Sequence, residues 1–402
     1  MEILCISNGH GEDIIAARIC IELRNLGFAA IALPLVGVGN AYSKAEIPIA
    51  SQFTKKMPSG GFVRMDSRQL ARDVQSGLAG LTRRQLGFVW QWSRDRRHQK
   101  KLVLAVGDIV PLLFAWLPAQ FGGSNFVFVA TAKSEYYWRD RQSPLPHIKK
   151  PFGGSIFFPW ERALMNSNRC KAIFVRDLLT AEVLNQNFKL PALYLGNSMM
   201  DGLEPQGLDL GIGADEWAIA ILPGSRSPEA YENWLTLMLC AQVTARTIPY
   251  NVHFLAAIAP DLDREIIAQS IIQKGWLRLD ENTFKVQNAR LVLLENGFSD
   301  CLHQCHLGLA MAGTATEQMV GLGKPVITIA GNGPQFTRQF AEEQADLLGC
   351  SINLIDKPAQ AAEVLQKILQ DPDYFQEVNL NGLERMGQAG ASMRIAKHIA
   401  SL

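Results

Sequence analysis

Gly313-Thr314-Ala315-Thr316-Glu317 interrupts an otherwise apolar run from Ala310 to Ile327. "HLGLAMAG" before it predicts a buried strand, and "TATEQMVGLG" predicts a helix stopped by Gly323 ahead of Pro325. Gly313 and Thr314 then lie on a strand-to-helix turn. Free N–H groups and the helix dipole attract an anion there, and small side chains let a phosphate come close. Glu317, one turn in, can accept hydrogen bonds from two vicinal hydroxyls, as a ribose offers. The same residues also fit a capping box, with Thr314 as N-cap, Glu317 as its partner and no ligand. A second turn, Pro223-Gly224-Ser225-Arg226 in "AIAILPGSRSPEA", tilts the balance. It again follows a strand, and its arginine can hold phosphate through a planar fork. Two such turns suit a nucleotide diphosphate, with the phosphates on the turns and the sugar on Glu317.

The first half of the chain offers acid–base candidates. His10 lies in "SNGHGED", a glycine-bearing loop after the first apolar strand, and its reference pKa near ~6.5 suits a general base. Asp108 follows the strand "KLVLAVG" and either acts as the base or orients His10. The plain alternatives are a loop histidine that caps the next helix and a turn-forming Asp ahead of Pro111. "CLHQCH", Cys301 to His306, has metal-type residues but no second cluster to close a site. It reads as buried cysteines and helix-end histidines, so no metal and no cofactor is expected.

These residues need a scaffold that presents loops. "EILCIS", "AAIALPLVG", "KLVLAVGD", "NFVFVAT", "KAIFVRD" and "ALYLGNS" are apolar runs separated by helical stretches, the signature of a mainly parallel sheet covered on both faces. The first helix, "IIAARICIELRNLG", sets Ile15, Ile19, Leu23 and Leu26 on one face and stops at Gly27. "DGLEPQGLDLGIGADEW" has no periodicity and reads as a linker. The rhythm then restarts with "AIAILPGSR", helices over Tyr231–Thr247 and around Leu262–Lys274, and the strands "NVHFLAAIA", "ARLVLLEN", "HLGLAMAG" and "KPVITIAG". Two doubly wound α/β domains follow, residues 1–203 and 204–385, with a C-terminal helix in 386–402 that packs back toward the first domain. Ligands of such sheets bind beyond the carboxyl ends of the strands, so two facing domains would place the active site in a central cleft.

Composition agrees. Hydrophobic residues are 48% and charged residues 19% of the chain, which excludes disorder. The net charge of +1 conceals an asymmetry: residues 1–200 hold 25 Lys and Arg against 14 Asp and Glu, and residues 201–402 hold 14 against 24. A +11 half beside a −10 half points to an anionic partner for the first. The start of the chain reads as a strand rather than a signal peptide, and "LVLAVGDIVPLLFAWLP" is broken by Asp108 and Pro111 below the ~20 residues of a spanning helix. The expectation is a soluble, reduced, cytoplasmic protein.

"LPGSRSPE", followed about ninety residues later by "AGTATEQ", resembles the lipid-A-disaccharide synthase family, and the resemblance extends over most of the chain. "GDIVPLL" is similar to the family's Asp-x-Pro loop with one extra residue, "FPWERAL" to its Phe-Pro-Phe-Glu element, and "LGNSMMDGL" to its Gly-His-Pro-x-x-Asp segment. The resemblance implies a GT-B fold and metal-independent transfer of N-acetylglucosamine, or a related hexose, from UDP to a lipid acceptor by inverting, base-assisted displacement. It implies donor contacts at Gly224, Ser225, Arg226, Gly313, Thr314, Ala315, Thr316 and Glu317. The first glycine loop, Gly9, Gly11, Glu12 and Asp13, falls on the acceptor side, with His10 and Asp108 as catalytic residues. Two departures mark a divergent relative. The family's Gly-Glu-x-Ser-Gly-Asp loop is "SNGHGED" here, and Asn197 stands where the family has His. A histidine in that loop also resembles the transferases of peptidoglycan and galactolipid synthesis.

Two aromatic-basic stretches, Phe88–Lys101 and Tyr136–Trp160, suit a lipid headgroup layer, stacked bases, or a packed core fringed by solvated arginines. Because the family's acceptors are lipids, the expected partners are a UDP-sugar, a lipid or lipid-linked acceptor and an anionic membrane surface bound peripherally from the cytoplasm, with no nucleic acid. A UDP-sugar epimerase on the same fold and a non-catalytic UDP-sugar-binding protein are the other readings.

Overall fold

The computed structural model describes residues 1–50, 54, 78–95, 100–139, 152–331, 333 and 336–402. The chain forms two compact units. The first is Met1–Glu135 with Lys150–Asp201 and Gln388–Leu402, and the second is Tyr136–Lys149 with Gly202–Gly387.

In the first unit β1 (Glu2–Ser7), β2 (Ala29–Pro34), β3 (Lys101–Gly107), β4 (Asn125–Ala130), β5 (Cys170–Val175) and β6 (Ala192–Leu193) form one sheet in the order β2-β1-β3-β4-β5-β6. Every neighbouring pair is parallel. Helices cover both faces, so the central strands are apolar throughout rather than alternating, and Ile3 to Ile6 are fully buried. Helices His10–Asn25 and Ala391–Ala400 pack on one face, and Ile109–Gln120 and Leu178–Phe188 on the other. Asp201 secures the last helix: its carboxylate accepts the N–H groups of Gly390, Ala391 and Ser392, the last at 2.7 Å. That is a strong cap, a charge on the positive end of the helix dipole.

The first helix corrects one expectation. It starts at His10, not after Asp13, with Gly9 as N-cap at φ 127° and no side-chain cap. His10 is therefore the first helical residue rather than a loop residue. The glycine backbone makes the turn, and Glu12 and Asp13 fall in the first helical turn, where negative charge is favoured. Along the same helix Ile15, Ile19 and Leu23 are buried, whereas Leu26 is 43% exposed. The segment Leu102–Pro118 divides into β3 and the helix Ile109–Gln120. Among the described residues, no helix is long and apolar enough to cross a membrane.

The second unit holds β7 (Glu216–Leu222), β8 (Asn251–Ala257), β9 (Leu277–Arg278), β10 (Thr283–Val286), β11 (Ala289–Leu294), β12 (Leu307–Ala310), β13 (Val326–Ile329) and β14 (Ile352–Ile355). Their order is β14-β13-β12-β7-β8-β11-β10-β9. All pairs are parallel except β9–β10 and β10–β11. The antiparallel edge escapes the sequence reading because β10 is a four-residue alternating strand whose one fully buried side chain is Phe284. The helix read from Tyr231 starts at Glu229. The stretch read as a linker is held at its start, where the Asp300 carboxylate accepts the N–H groups of Gln206, Gly207 and Leu208 at 2.8–3.0 Å.

Candidate active site

From β1 the first sheet winds to β2 on one side, then crosses back to β3 on the other. Winding reverses between β1 and β3, and a crevice opens beyond the carboxyl ends of strands at such a reversal. Ser7 ends β1 opposite Val106 of β3, so the two outgoing loops lie side by side. They carry Asn8, Gly9 and His10 from β1 and Asp108 from β3. Asn8 Nδ2 donates to Asp108 Oδ2 at 3.0 Å, and the Val110 N–H donates to Oδ1 at 2.8 Å. Asp108 is thus the N-cap of the helix Ile109–Gln120 and, through its other oxygen, a partner of the neighbouring loop. Burial pushes its carboxyl above the usual range. The bonds from Val110 and Asn8 pull it back, nearby Glu161 pushes it up and Lys133 pulls it down. A carboxylate whose basicity is raised by burial is a better proton acceptor than an exposed one.

Lys133 and Glu161 escape sequence reasoning as a pair, since 28 positions separate them. Lys133 Nζ lies 2.5 Å from Glu161 Oε2, donates to Ile156 O at 3.2 Å and sits 4.5 Å above the Phe158 ring. Glu161 also accepts the Phe158 N–H at 2.7 Å. The signal in the chain is "FPWERAL", which contains Glu161. Of the loop assigned to the acceptor side, Asp13 is turned inward and 3% exposed. Ser7 Oγ donates to its Oδ1 at 2.5 Å and lies 2.5 Å from the buried Tyr42 hydroxyl. Burial pushes the Asp13 carboxyl up to about 7, against the Ser7 hydrogen bond. Asn197, in the histidine position of the resembled family, caps the short turn Ser198–Met200 by accepting the Met199 N–H at 3.0 Å.

The second sheet reverses between β7 and β12. Leu222 pairs with Ala310, and the Met311 N–H donates to Leu222 O at 2.9 Å. The two turns, almost ninety residues apart in sequence, therefore leave adjacent strand ends. Gly224 has φ 93°, a left-handed conformation that glycine adopts without strain, and a Cβ there would lie 3.5 Å from Met311 O. Ser225 is exposed and Arg226 half-buried. In the other turn Gly313, not Thr314, is the N-cap, and no side chain caps the helix Thr314–Gly321. The capping-box alternative is thereby corrected. Thr314 is the exposed first helical residue, Ala315 is half-buried, and Thr316 turns back to donate to Ala312 O at 2.6 Å. Glu317, half-buried, stands in the first turn.

No protein-family model matches the sequence, and no curated protein matches it. Solved structures do. UDP-GlcNAc 2-epimerase from Neisseria meningitidis bound to UDP-GlcNAc is similar over 100% of both chains, with 16% identity and a TM-score of 0.59. CalG4, the calicheamicin glycosyltransferase, is similar over 100% of this chain and 97% of that one, with 14% identity and a TM-score of 0.61. MurG from Acinetobacter baumannii is similar over 100% and 99%, with 10% identity and a TM-score of 0.61. The chain has the GT-B fold. In this GT-B chain both sets of candidate residues lie on loops leaving the strands at a reversal of winding, one set in each Rossmann-like unit.

The residues of "CLHQCH" are bonded into the second unit. Cys301 and Cys305 are fully buried, His303 bonds Leu203 O at 2.8 Å, and His306 Nδ1 accepts the Ala218 N–H at 3.0 Å. Among the described residues no group of three or more His, Cys, Asp or Glu side chains is arranged to hold a metal ion. In the first aromatic-basic stretch Arg96 and Arg97 lie outside the described residues. Lys101 is not a free surface cation: its Nζ donates to Trp92 O at 3.1 Å, sits 4.9 Å over the Trp92 ring and lies 3.7 Å from Glu2. Of the second stretch, 140–151 lies outside the described residues. At its end Phe158 and Trp160 stack at 4.6 Å and, with Phe152, are exposed.

Proposed function

We propose that the chain is a UDP-sugar-dependent glycosyltransferase that moves N-acetylglucosamine or a related hexose onto a lipid or lipid-linked acceptor at an anionic membrane surface. The observation that carries this reading is the pairing of the two small-residue turns, Pro223–Arg226 and Met311–Glu317, at the winding reversal of the second sheet. In this reading Gly224, Ser225, Arg226, Gly313, Thr314, Ala315 and Thr316 line the diphosphate and Glu317 holds the ribose hydroxyls. The acceptor oxygen attacks the anomeric carbon from the face opposite the nucleotide. The bond from that carbon to the diphosphate breaks, and UDP leaves with the electron pair. The acceptor's proton passes to Asp108 or His10 and then to water. The metal independence and the lipid acceptor follow the resemblance to lipid-A-disaccharide synthases. The +11 first half and the exposed Phe152, Phe158 and Trp160 support the membrane surface. Incubation with UDP-sugars and a lipid extract tests the reading. A new glycolipid with stoichiometric UDP is the expected result; UDP-sugar binding without any glycoside product refutes it.

A second reading, a UDP-sugar epimerase, draws support from the UDP-GlcNAc bound by the Neisseria epimerase of the same fold. NMR of a UDP-sugar incubated with the protein and no acceptor separates the two: a second sugar isomer supports the epimerase.

A further inference from the structure

Asn233 lies on the helix Glu229–Thr247, outside every motif, and is 4% exposed. Its Nδ2 donates to Pro223 O at 3.1 Å and to Met311 O at 3.3 Å. Both acceptors are carbonyls, so it is the amide nitrogen that faces them. These carbonyls belong to the first residues beyond β7 and β12, the roots of the two turns at the winding reversal. Gly331, just past β13, leaves room for the same side chain, since a Cβ there would come within 2.9 Å of Asn233 Oδ1. One buried amide thus sits behind three neighbouring strand ends.

The rest of the second turn is drawn back in the same way. Ala312 O accepts from Thr316 Oγ1 at 2.6 Å and from Gln344 Nε2 at 3.1 Å, and Gly313 O accepts from Gln344 Nε2 at 3.2 Å. A trans peptide is planar, and its N–H points opposite to its C=O. With the carbonyls of Pro223, Met311, Ala312 and Gly313 pulled toward these anchors, the N–H groups of Gly224, Ala312, Gly313 and Thr314 are directed away from them. N–H groups facing away from their anchors in two adjacent loops, one of which opens the helix Thr314–Gly321, are the chemistry of an anion cradle.

We infer that Asn233 is the positioning residue of this cradle: by holding Pro223 O and Met311 O together it sets both turns for one diphosphate. The inference rests on the donor reading given under Proposed function. It differs from a merely structural role because a cradle acts on the diphosphate and not on the nucleoside.

The test is the ratio of UDP to uridine affinity, by calorimetry, in the wild type and in Asn233→Asp and Asn233→Ala. The first substitution turns a carboxylate oxygen, an acceptor, toward two carbonyls, and the second releases both carbonyls. Each variant should lose roughly tenfold or more in UDP affinity, as expected for lost hydrogen-bond support of a charged ligand, while uridine affinity stays as in the wild type. A wild type that binds UDP no better than uridine overturns the donor reading itself. A preference that persists unchanged in both variants overturns the role of Asn233 alone. Hydrogen–deuterium exchange on the wild type covers variants that do not fold. UDP, and not uridine, should slow exchange across 223–226 and 311–314, and equal slowing by the two ligands overturns the inference.

Discussion

Asp13→Asn is the perturbation with the clearest physical sign. The wild-type carboxyl is 3% exposed, and burial moves it from 3.8 to about 7. A displacement of that size corresponds to about 4 kcal/mol between the protonated and ionised forms. The folded chain holds a proton on Asp13 that the unfolded chain releases above pH 4, so the usual carboxylate trend is inverted. Below pH 4 both states are protonated and nothing is lost. Between about pH 4 and 7 the unfolded state gains relative to the native one, and above pH 7 the full penalty of roughly 4 kcal/mol applies. Asparagine keeps an oxygen for the Ser7 hydroxyl, which donates to Asp13 Oδ1 at 2.5 Å, and removes the titration. The variant should therefore be the more stable protein at pH 8 and should lose most of its advantage by pH 5. Two measurements check this. Denaturant midpoints from pH 5 to 8 should diverge upward with pH between variant and wild type. An infrared difference spectrum should show a protonated carboxyl band, absent from the variant, that titrates near pH 7. Parallel midpoint curves together with no such band would refute the burial argument.

Glu317→Ala should weaken UDP binding by roughly tenfold or more, through lost bonds from ribose hydroxyls to a charged acceptor, and calorimetry giving equal affinities would remove Glu317 from the donor site. His10→Ala and Asp108→Asn should each lower turnover by about 10²–10⁴ while leaving UDP affinity intact, and a fully active His10→Ala leaves the base role to Asp108. Replacing Arg94, Arg96, Arg97 and Lys100 together should weaken flotation with anionic vesicles, at about 1 kcal/mol for each charge near the surface, and the wild-type attraction should fade as salt shortens the Debye length. Lys101 is left out of that set because its side chain is only 11% exposed, held against Trp92 and Glu2. Equal binding to neutral vesicles would count against electrostatic docking.

The alternation of apolar runs with amphipathic stretches sufficed for the two doubly wound sheets, because parallel strands covered on both faces are continuously apolar. The two turns were legible for a similar reason: small residues between a strand and a helix leave a local mark at Gly224 and Gly313. Helix starts were less legible. Gly9 moved the first helix back to His10, and Gly313 displaced Thr314 as N-cap, because backbone conformation can do what a side-chain cap does and leaves no polar residue to read. The edge strands β9 and β10 were too short to show a period.

What joins residues far apart in sequence came only from the tertiary structure. Asn8 meets Asp108 across 100 positions, Lys133 meets Glu161 across 28, and Asn233 meets Met311 across 78. None of these partners announces the other, because a hydrogen bond depends on where the winding of the sheet sets the strand ends and not on local composition. The same holds for Asp13. Its sequence neighbours describe an acidic first turn at a helix N-terminus, a setting that favours ionisation. In the fold Ser7 of β1 links Asp13 to the buried Tyr42 hydroxyl, and burial there outweighs the Ser7 hydrogen bond.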